Sequence, residues 1–178
     1  MNGDGGAGQG NPGSRAGDSN PWLPFPGRQM IISVSRRCDI PRFQFGWFME
    51  RLHAGFVETA NPYNPNQIRR VSLLPEDAGV FVFWTRDPRH ILAQAERLGE
   101  RRFYVMTTLT GYPSRLEPFA PEEGEITGAI RKLAGIIGPK RLIWRYDPLF
   151  FSDCTDEDFH LRNFKRLAGA LKTSVGRV

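Results

Sequence analysis

The sequence predicts an α/β fold built on parallel strands, and three observations carry that expectation. First, a strand-like phrase occurs twice, sixty positions apart: Val82-Phe83-Trp84-Thr85-Arg86-Asp87-Pro88 and Leu142-Ile143-Trp144-Arg145-Tyr146-Asp147-Pro148. Each copy reads as a buried strand that ends in Trp and turns polar at its carboxyl end. Second, Met30-Ile31-Ile32-Ser33-Val34 runs with the same logic into Ser35-Arg36-Arg37-Cys38-Asp39-Ile40-Pro41. Third, strand-like runs alternate with helical periodicity along the chain, the pattern of a parallel sheet with crossover helices. Right-handed crossovers place every strand's carboxyl end on one side, which is where α/β barrels gather their chemistry.

The elements follow in order. Gln29 to Ser35 is the first strand, and a helix starts near Pro41, because Pro suits the first helical turn. Phe45, Phe48, Met49 and Leu52 repeat at helical spacing, and Gly55 ends that helix. Phe56 to Thr59 and Ile68 to Leu73 read as extended pieces around the turn formers Asn61-Pro62-Tyr63-Asn64-Pro65-Asn66, a hairpin-like excursion. Val80 to Trp84 is a fully buried strand. A helix follows with Asp87 at its cap and Pro88 at its first position, an inner face of Ile91, Leu92, Ala95 and Leu98, and a stop at Gly99. Arg102 to Leu109 is the next strand. A helix over Glu122 to Ile137 buries Ile126, Ile130, Leu133, Ala134 and Ile137, and Gly138-Pro139 ends it. Arg141 to Trp144 is a strand. Thr155-Asp156-Glu157-Asp158 starts a last helix that runs to Lys172 and buries Phe159, Phe164, Leu167, Ala168 and Leu171.

Composition sets the limits. The chain has 178 residues, one domain's worth. Asn2 to Asn20 is mostly Gly, Asn, Asp and Ser, too polar to offset the entropy of ordering, and residues 1–28 are expected to form a disordered tail. The domain is expected over 29–178. No stretch has the ~18 apolar residues of a membrane span and no signal-peptide core is present, so no membrane partner and a cytoplasmic location are expected. An eight-unit barrel needs about 200–250 residues, and four or five strand–helix units cannot close one. The expectation is a partial (β/α) barrel with parallel strands, cut short at its carboxyl end. The two cysteines, Cys38 and Cys154, match no metal motif and read as buried thiols. The net charge of +5 is mostly arginine. Arginine suits bidentate contact with phosphate or carboxylate, but its scatter through the chain and the lack of a Lys/Arg run do not favour a nucleic-acid partner.

Candidate ligand contacts lie where strands turn polar. Ser35, Arg36, Arg37 and Asp39 follow the first strand. Two adjacent guanidiniums beside a carboxylate would clamp an anion, whereas Asp39 could simply cap the following helix. Arg145, Tyr146 and Asp147 form a second cluster, where eight residues separate Asp147 from the next helix, so capping explains it poorly; a loop-bracing pair with Arg145 is the competing reading. Trp84 and Trp144 could both belong to the core or could both wall a pocket. Thr85, Thr108 and Thr110 could line the same rim, and Asn61 and Asn64 are turn formers that could also touch a ligand. His53, His90 and His160 fall on helices and read as surface residues. No catalytic triad, metal-binding His pair or phosphate loop is visible. A small polar or anionic ligand is the expected partner; an Arg-rich nucleic-acid-binding module, and a metal-dependent hydrolase or isomerase using Asp39 and Asp147, are the alternatives.

These phrases resemble domain-of-unknown-function family 1848. The marks are Ile32 to Pro41, Asn61 to Pro65, Val71-Ser72-Leu73, Val82 to Thr85, Thr108 to Tyr112 and Ile143 to Pro148, spanning about Ile31 to Leu171. The resemblance implies a barrel related to radical S-adenosylmethionine enzymes such as spore photoproduct lyase, with a cysteine-rich carboxyl-terminal segment that holds an iron–sulfur cluster. By that resemblance the complete protein would use an iron–sulfur cluster and S-adenosylmethionine, while this chain, which stops before that segment, is expected to hold no cofactor. It also carries Cys38 where the family typically has Thr, which argues against a required thiol there.

Overall fold

The computed structural model describes residues 29–35, 37–99 and 101–178. The expected disordered tail, residues 1–28, and the candidate contact Arg36 lie outside the described residues. Four strands form a parallel sheet: β1 (Met30–Ser33), β4 (Ala78–Thr85), β5 (Phe103–Thr108) and β6 (Leu142–Arg145), in the spatial order β1-β4-β5-β6. Between β1 and β4 lie α1 (Ile40–Phe43), α2 (Phe45–Ala54) and an antiparallel hairpin of β2 (Phe56–Asn61) and β3 (Asn64–Ser72). Helix α3 (Arg89–Gln94) joins β4 to β5, α4 (Glu123–Ile137) joins β5 to β6, and α5 (Glu157–Leu171) follows β6. The alternation read from the sequence is the observed one. The sheet is open and forms no barrel, and beyond β6 only a single parallel bridge, Ile143 to Arg177, extends it among the described residues.

Strand register explains where the core sits. Phe81, Phe83 and Thr85 pair with Phe103, Val105 and Thr107, and Val105 and Thr107 pair with Leu142 and Trp144. These side chains share one face, and Phe81, Phe83, Phe103, Val105, Leu142 and Trp144 form one buried cluster with Phe45 and Phe48 of α2, Ile91 of α3, Ile126, Ile130 and Leu133 of α4, and Leu167 and Leu171 of α5. Phe83 meets Phe45, Phe48 and Phe103 edge-on, at 5.7, 5.4 and 5.7 Å between ring centroids. The opposite face carries Ile31, Val80, Val82, Trp84, Tyr104, Met106, Ile143 and Arg145, and among the described residues no helix covers it. That one-sidedness follows from sequential strand order with crossovers of one hand.

Local departures have local causes. The first helix is two, because the chain turns at Gln44 (φ −140°, ψ 26°) between α1 and α2. Gly55 ends α2 with φ 79°, a left-handed conformation that favours glycine. Helix α5 is capped by Asp156, not Thr155: Asp156 Oδ1 accepts the Phe159 N–H at 2.7 Å, while Thr155 donates its hydroxyl to the Phe150 carbonyl at 2.7 Å. Phe164 is exposed at the edge, its ring stacked on Trp144 at 5.1 Å. Cys38 is exposed and Cys154 half-buried, so the expectation of two buried thiols is corrected.

One buried group in this core lacks a partner. The Thr107 hydroxyl accepts and donates no hydrogen bond, and a buried unpaired hydroxyl costs free energy. Thr107→Val keeps the shape and removes that cost, so chemical denaturation should show a gain of about 0.5–1 kcal/mol; a loss of stability would show that the hydroxyl is satisfied in solution.

Candidate polar site at the strand ends

The carboxyl ends of β1 and β4 are stapled by side chain-to-backbone hydrogen bonds. Asp39 accepts the Arg42 N–H on Oδ1 at 3.0 Å, capping α1, and the Arg86 N–H on Oδ2 at 2.8 Å, reaching 47 positions along the chain. Both carboxylate oxygens are thereby committed, and Asp39 acts as a brace. Ser35 Oγ accepts the Trp84 N–H at 3.3 Å. Arg37 is turned away to the hairpin, where its guanidinium donates to the Ala60 carbonyl at 2.6 Å. At the hairpin tip, Asn61 Oδ1 accepts the Tyr63 N–H (2.9 Å), Asn61 Nδ2 donates to Gln67 Oε1 (2.8 Å), and Asn64 Oδ1 accepts the Asn66 N–H (3.2 Å). Both asparagines therefore build the turn.

The second arginine–aspartate grouping comes to the same rim. Arg145 pairs with Asp147, and its guanidinium carbon lies 4.7 Å from the centre of the Trp84 ring. Arg145 is in register with Thr108 of β5, so its side chain reaches across β5 to β4. Ser35, Trp84, Thr108 and Arg145 thus line the upper end of the open face. Trp84 is 43% exposed and presents its ring there, whereas Trp144 is fully buried and donates its indole N–H to the Leu109 carbonyl at 2.9 Å.

Other candidates are consumed within the fold. Thr85 is buried and both donates to the Asp87 carbonyl (3.0 Å) and accepts the Asp87 N–H (2.9 Å). Thr110 is buried and donates to Glu117 at 2.9 Å, and Glu117 in turn pairs with Arg86 at 2.6 Å. Arg86, Thr108, Thr110 and Glu117 line a cavity of about 230 Å³ beside α4.

Tyr146 belongs to a network that includes a histidine expected at the surface. His160 is buried, with Nε2 3.1 Å from the Phe150 carbonyl and Nδ1 3.0 Å from the Tyr146 hydroxyl. A carbonyl only accepts, so Nε2 donates to it, and Nδ1 shares a hydrogen bond with the Tyr146 hydroxyl. Asn163 donates to the Tyr146 oxygen at 3.0 Å and to the Thr110 carbonyl at 2.6 Å. Tyr112 donates to the Pro148 carbonyl at 2.7 Å and accepts the Phe150 N–H at 2.8 Å; burial pushes its hydroxyl pKa up, against the smaller effect of that N–H. The loop carrying Asp147 is therefore pinned from α5 and from the β5–α4 connection. Residues 160, 163, 167 and 171 are all buried on α5, a spacing that could have revealed His160 as an inward position.

Asp87, expected to cap α3, lies one residue before its Pro88 cap, is buried, and grips Arg89 with both oxygens at 2.6 and 2.8 Å while accepting its N–H at 3.1 Å. Burial alone would raise its pKa, but the hydrogen bonds and charge of Arg89, helped by His90, together hold it below the usual carboxylate value. A depressed folded pKa adds stability that is present above the unfolded value of about 4 and is lost as pH falls through the folded one. Thermal unfolding below about pH 4 should therefore be less steeply pH-dependent in Asp87→Asn than in the unchanged chain; equal slopes would remove Asp87 from the acid response.

Among the described residues no three His, Cys, Asp or Glu side chains come together as a metal-binding group. The two thiols lie in different loops, and Cys154 contacts Ser152 Oγ at 3.3 Å. This donor set does not fit an iron–sulfur cluster. No helix among the described residues is long and apolar enough to cross a membrane. Compared with known proteins, the chain finds no match among curated proteins or solved structures. A family model described as a domain of unknown function, DUF1848, matches residues 31–178. That match covers nearly every described residue and includes both arginine–aspartate loops: the chain belongs to the DUF1848 family.

Proposed function

We propose that the rim at the carboxyl ends of β1, β4, β5 and β6 binds a small polar or anionic ligand, in a domain that forms part of a (β/α) barrel. The observation that carries this reading is the placement of Arg145 over the exposed face of Trp84, beside Thr108 and Ser35. A guanidinium held on an aromatic plane keeps donors directed outward, which suits a carboxylate or phosphate. Trp84 adds a flat apolar wall. Asp147 holds the guanidinium in the absence of ligand, and Arg37, Asn61 and Asn64 flank the hairpin side. The barrel reading is supported by sequential parallel strands with the helices on one side.

Radical-type chemistry with an iron–sulfur cluster and S-adenosylmethionine rests on the family resemblance alone. Its ligands would come from outside these residues, and no step is derived through it. The nucleic-acid alternative is weakened by how the arginines are spent: Arg86, Arg89, Arg145, Arg162 and Arg166 each pair with a carboxylate, and Arg42, Arg101 and Arg131 donate to carbonyls. The metal alternative is weakened by the committed oxygens of Asp39. Amide chemical-shift mapping with inorganic pyrophosphate tests the proposal. Shifts confined to residues near Ser35, Trp84, Thr108 and Arg145 are expected; shifts confined to the hairpin, or none at millimolar pyrophosphate, would overturn it.

A further inference from the structure

The cavity of about 230 Å³ beside α4 adjoins the rim, because Thr108 borders both. It is smaller than the roughly 300–1,000 Å³ of pockets that enclose a drug-sized ligand, so it suits one end of a small molecule. Its walls are held from several directions. Glu117 stands on a turn in which the Leu116 and Glu117 N–H groups both donate to the Pro113 carbonyl, at 2.9 and 3.2 Å. Arg86 is fixed at its backbone by Asp39 and at its side chain by Glu117. Tyr112 is tied to Pro148 and Phe150. Walls already ordered in this way lose little freedom when a ligand arrives.

The hydrogen-bonding capacity left over in this cavity is of both kinds. Among the described residues the Arg86 side chain bonds only through Nη2, to Glu117 at 2.6 Å and to Thr110 at 3.5 Å. Nε and Nη1 therefore keep protons for a further acceptor. Glu117 accepts from Arg86 on Oε1 and from Thr110 on Oε2, and each oxygen keeps a lone pair for a further donor. The half-buried Thr108 hydroxyl makes no hydrogen bond among the described residues. Charge is already matched: Arg86 pairs with Glu117, and Glu123 on the α4 wall pairs with Arg166. An ammonium group has no lone pair to offer Arg86, and an anion would face Glu117. A hydroxyl both donates and accepts, and two neighbouring hydroxyls can span the Arg86–Glu117 pair.

We propose that this cavity takes the hydroxylated end of the ligand whose anionic end lies on the rim. The ligand class is then an anion that carries neighbouring hydroxyls, such as a sugar phosphate or a sugar acid. Thr108 stands between the two ends, with Arg145 beside it in register on one side and the cavity on the other. The inference rests on the rim reading above for the anionic end alone.

Titration calorimetry of the full chain with two matched pairs of compounds is the test. Ribose 5-phosphate is compared with pentyl phosphate, and gluconate with hexanoate, so that head group and carbon count are kept and only the hydroxyls differ. In one pair the hydroxylated member should bind at least about tenfold tighter, and that pair identifies the anion. Equal affinities within both pairs overturn the proposal. Glu117→Gln removes the charge from the acceptor and should weaken the hydroxylated member about five- to tenfold more than the alkyl one. Ser114→Phe places bulk at an exposed position on the cavity wall, and should reduce the same preference with circular dichroism unchanged. A preference that survives both substitutions overturns the use of this cavity. Equal binding within each pair that still weakens in Arg145→Ala sinks the cavity alone. A preference that follows Glu117 and ignores Arg145→Ala sinks the rim reading alone, and no binding by any of the four compounds sinks both.

Discussion

Trp144→Ala should cost about 3–5 kcal/mol of stability, the largest single loss expected in this chain. The side chain is fully buried, stacks on Phe164 at 5.1 Å, and meets Tyr146 at 5.9 Å. Truncation leaves a cavity at the end of β6 and strips the Leu109 carbonyl of its indole donor. Domains of this size hold about 5–15 kcal/mol in total, so the variant should unfold at markedly lower urea. Trp144→Phe separates the two contributions. It keeps a stacked ring, loses the donor and the smaller part of the indole's volume, and should cost about 1–2 kcal/mol. Equal losses in the two variants would place the whole effect in the hydrogen bond.

Arg145→Ala should act on binding and leave the fold alone. Its partner Asp147 is mostly exposed, and such ion pairs contribute about 0–1 kcal/mol. The contact with the Trp84 ring adds about 0.5–1 kcal/mol. A hydrogen bond from a guanidinium to a bound anion is worth about 1.5–3 kcal/mol, so pyrophosphate affinity should fall roughly 10- to 100-fold. The effect on binding thus exceeds the effect on stability. A variant that unfolds while its anion affinity per folded molecule stays constant would make Arg145 a brace, as Asp39 is.

The sequence carried the alternation of strands and helices because each element marks itself locally. Central β4 is apolar at nearly every position, α4 shows Ile126, Ile130, Leu133 and Ile137 at helical spacing, and Gly55 and Gly138 adopt positive φ at the ends they were expected to mark. What stayed hidden depends on partners far along the chain. Asp39 is a brace because the Arg86 N–H arrives from 47 positions away. His160 is buried because the loop at Phe150 and the hydroxyl of Tyr146 both fold onto it. The equal reading of Trp84 and Trp144 failed for a related reason. The register places Trp84 on the uncovered face and Trp144 on the helix-covered one, and two copies of one phrase do not state their own parity. Thr85 and Thr110 were consumed by neighbours only the folded chain supplies, Asp87 and Glu117. The rim that survives is smaller than the residue list read from the sequence, and it centres on Trp84 and Arg145.

Trp84 reports on that rim directly, because its exposed ring lies under the Arg145 guanidinium while Trp144 is sealed in the core. Titrating inorganic pyrophosphate into the full chain while following tryptophan emission should give a saturable change, lost in Trp84→Phe and shifted to at least tenfold higher concentration in Arg145→Ala. Emission that never responds, or a response that survives both substitutions unchanged, would contradict a ligand site at the strand ends.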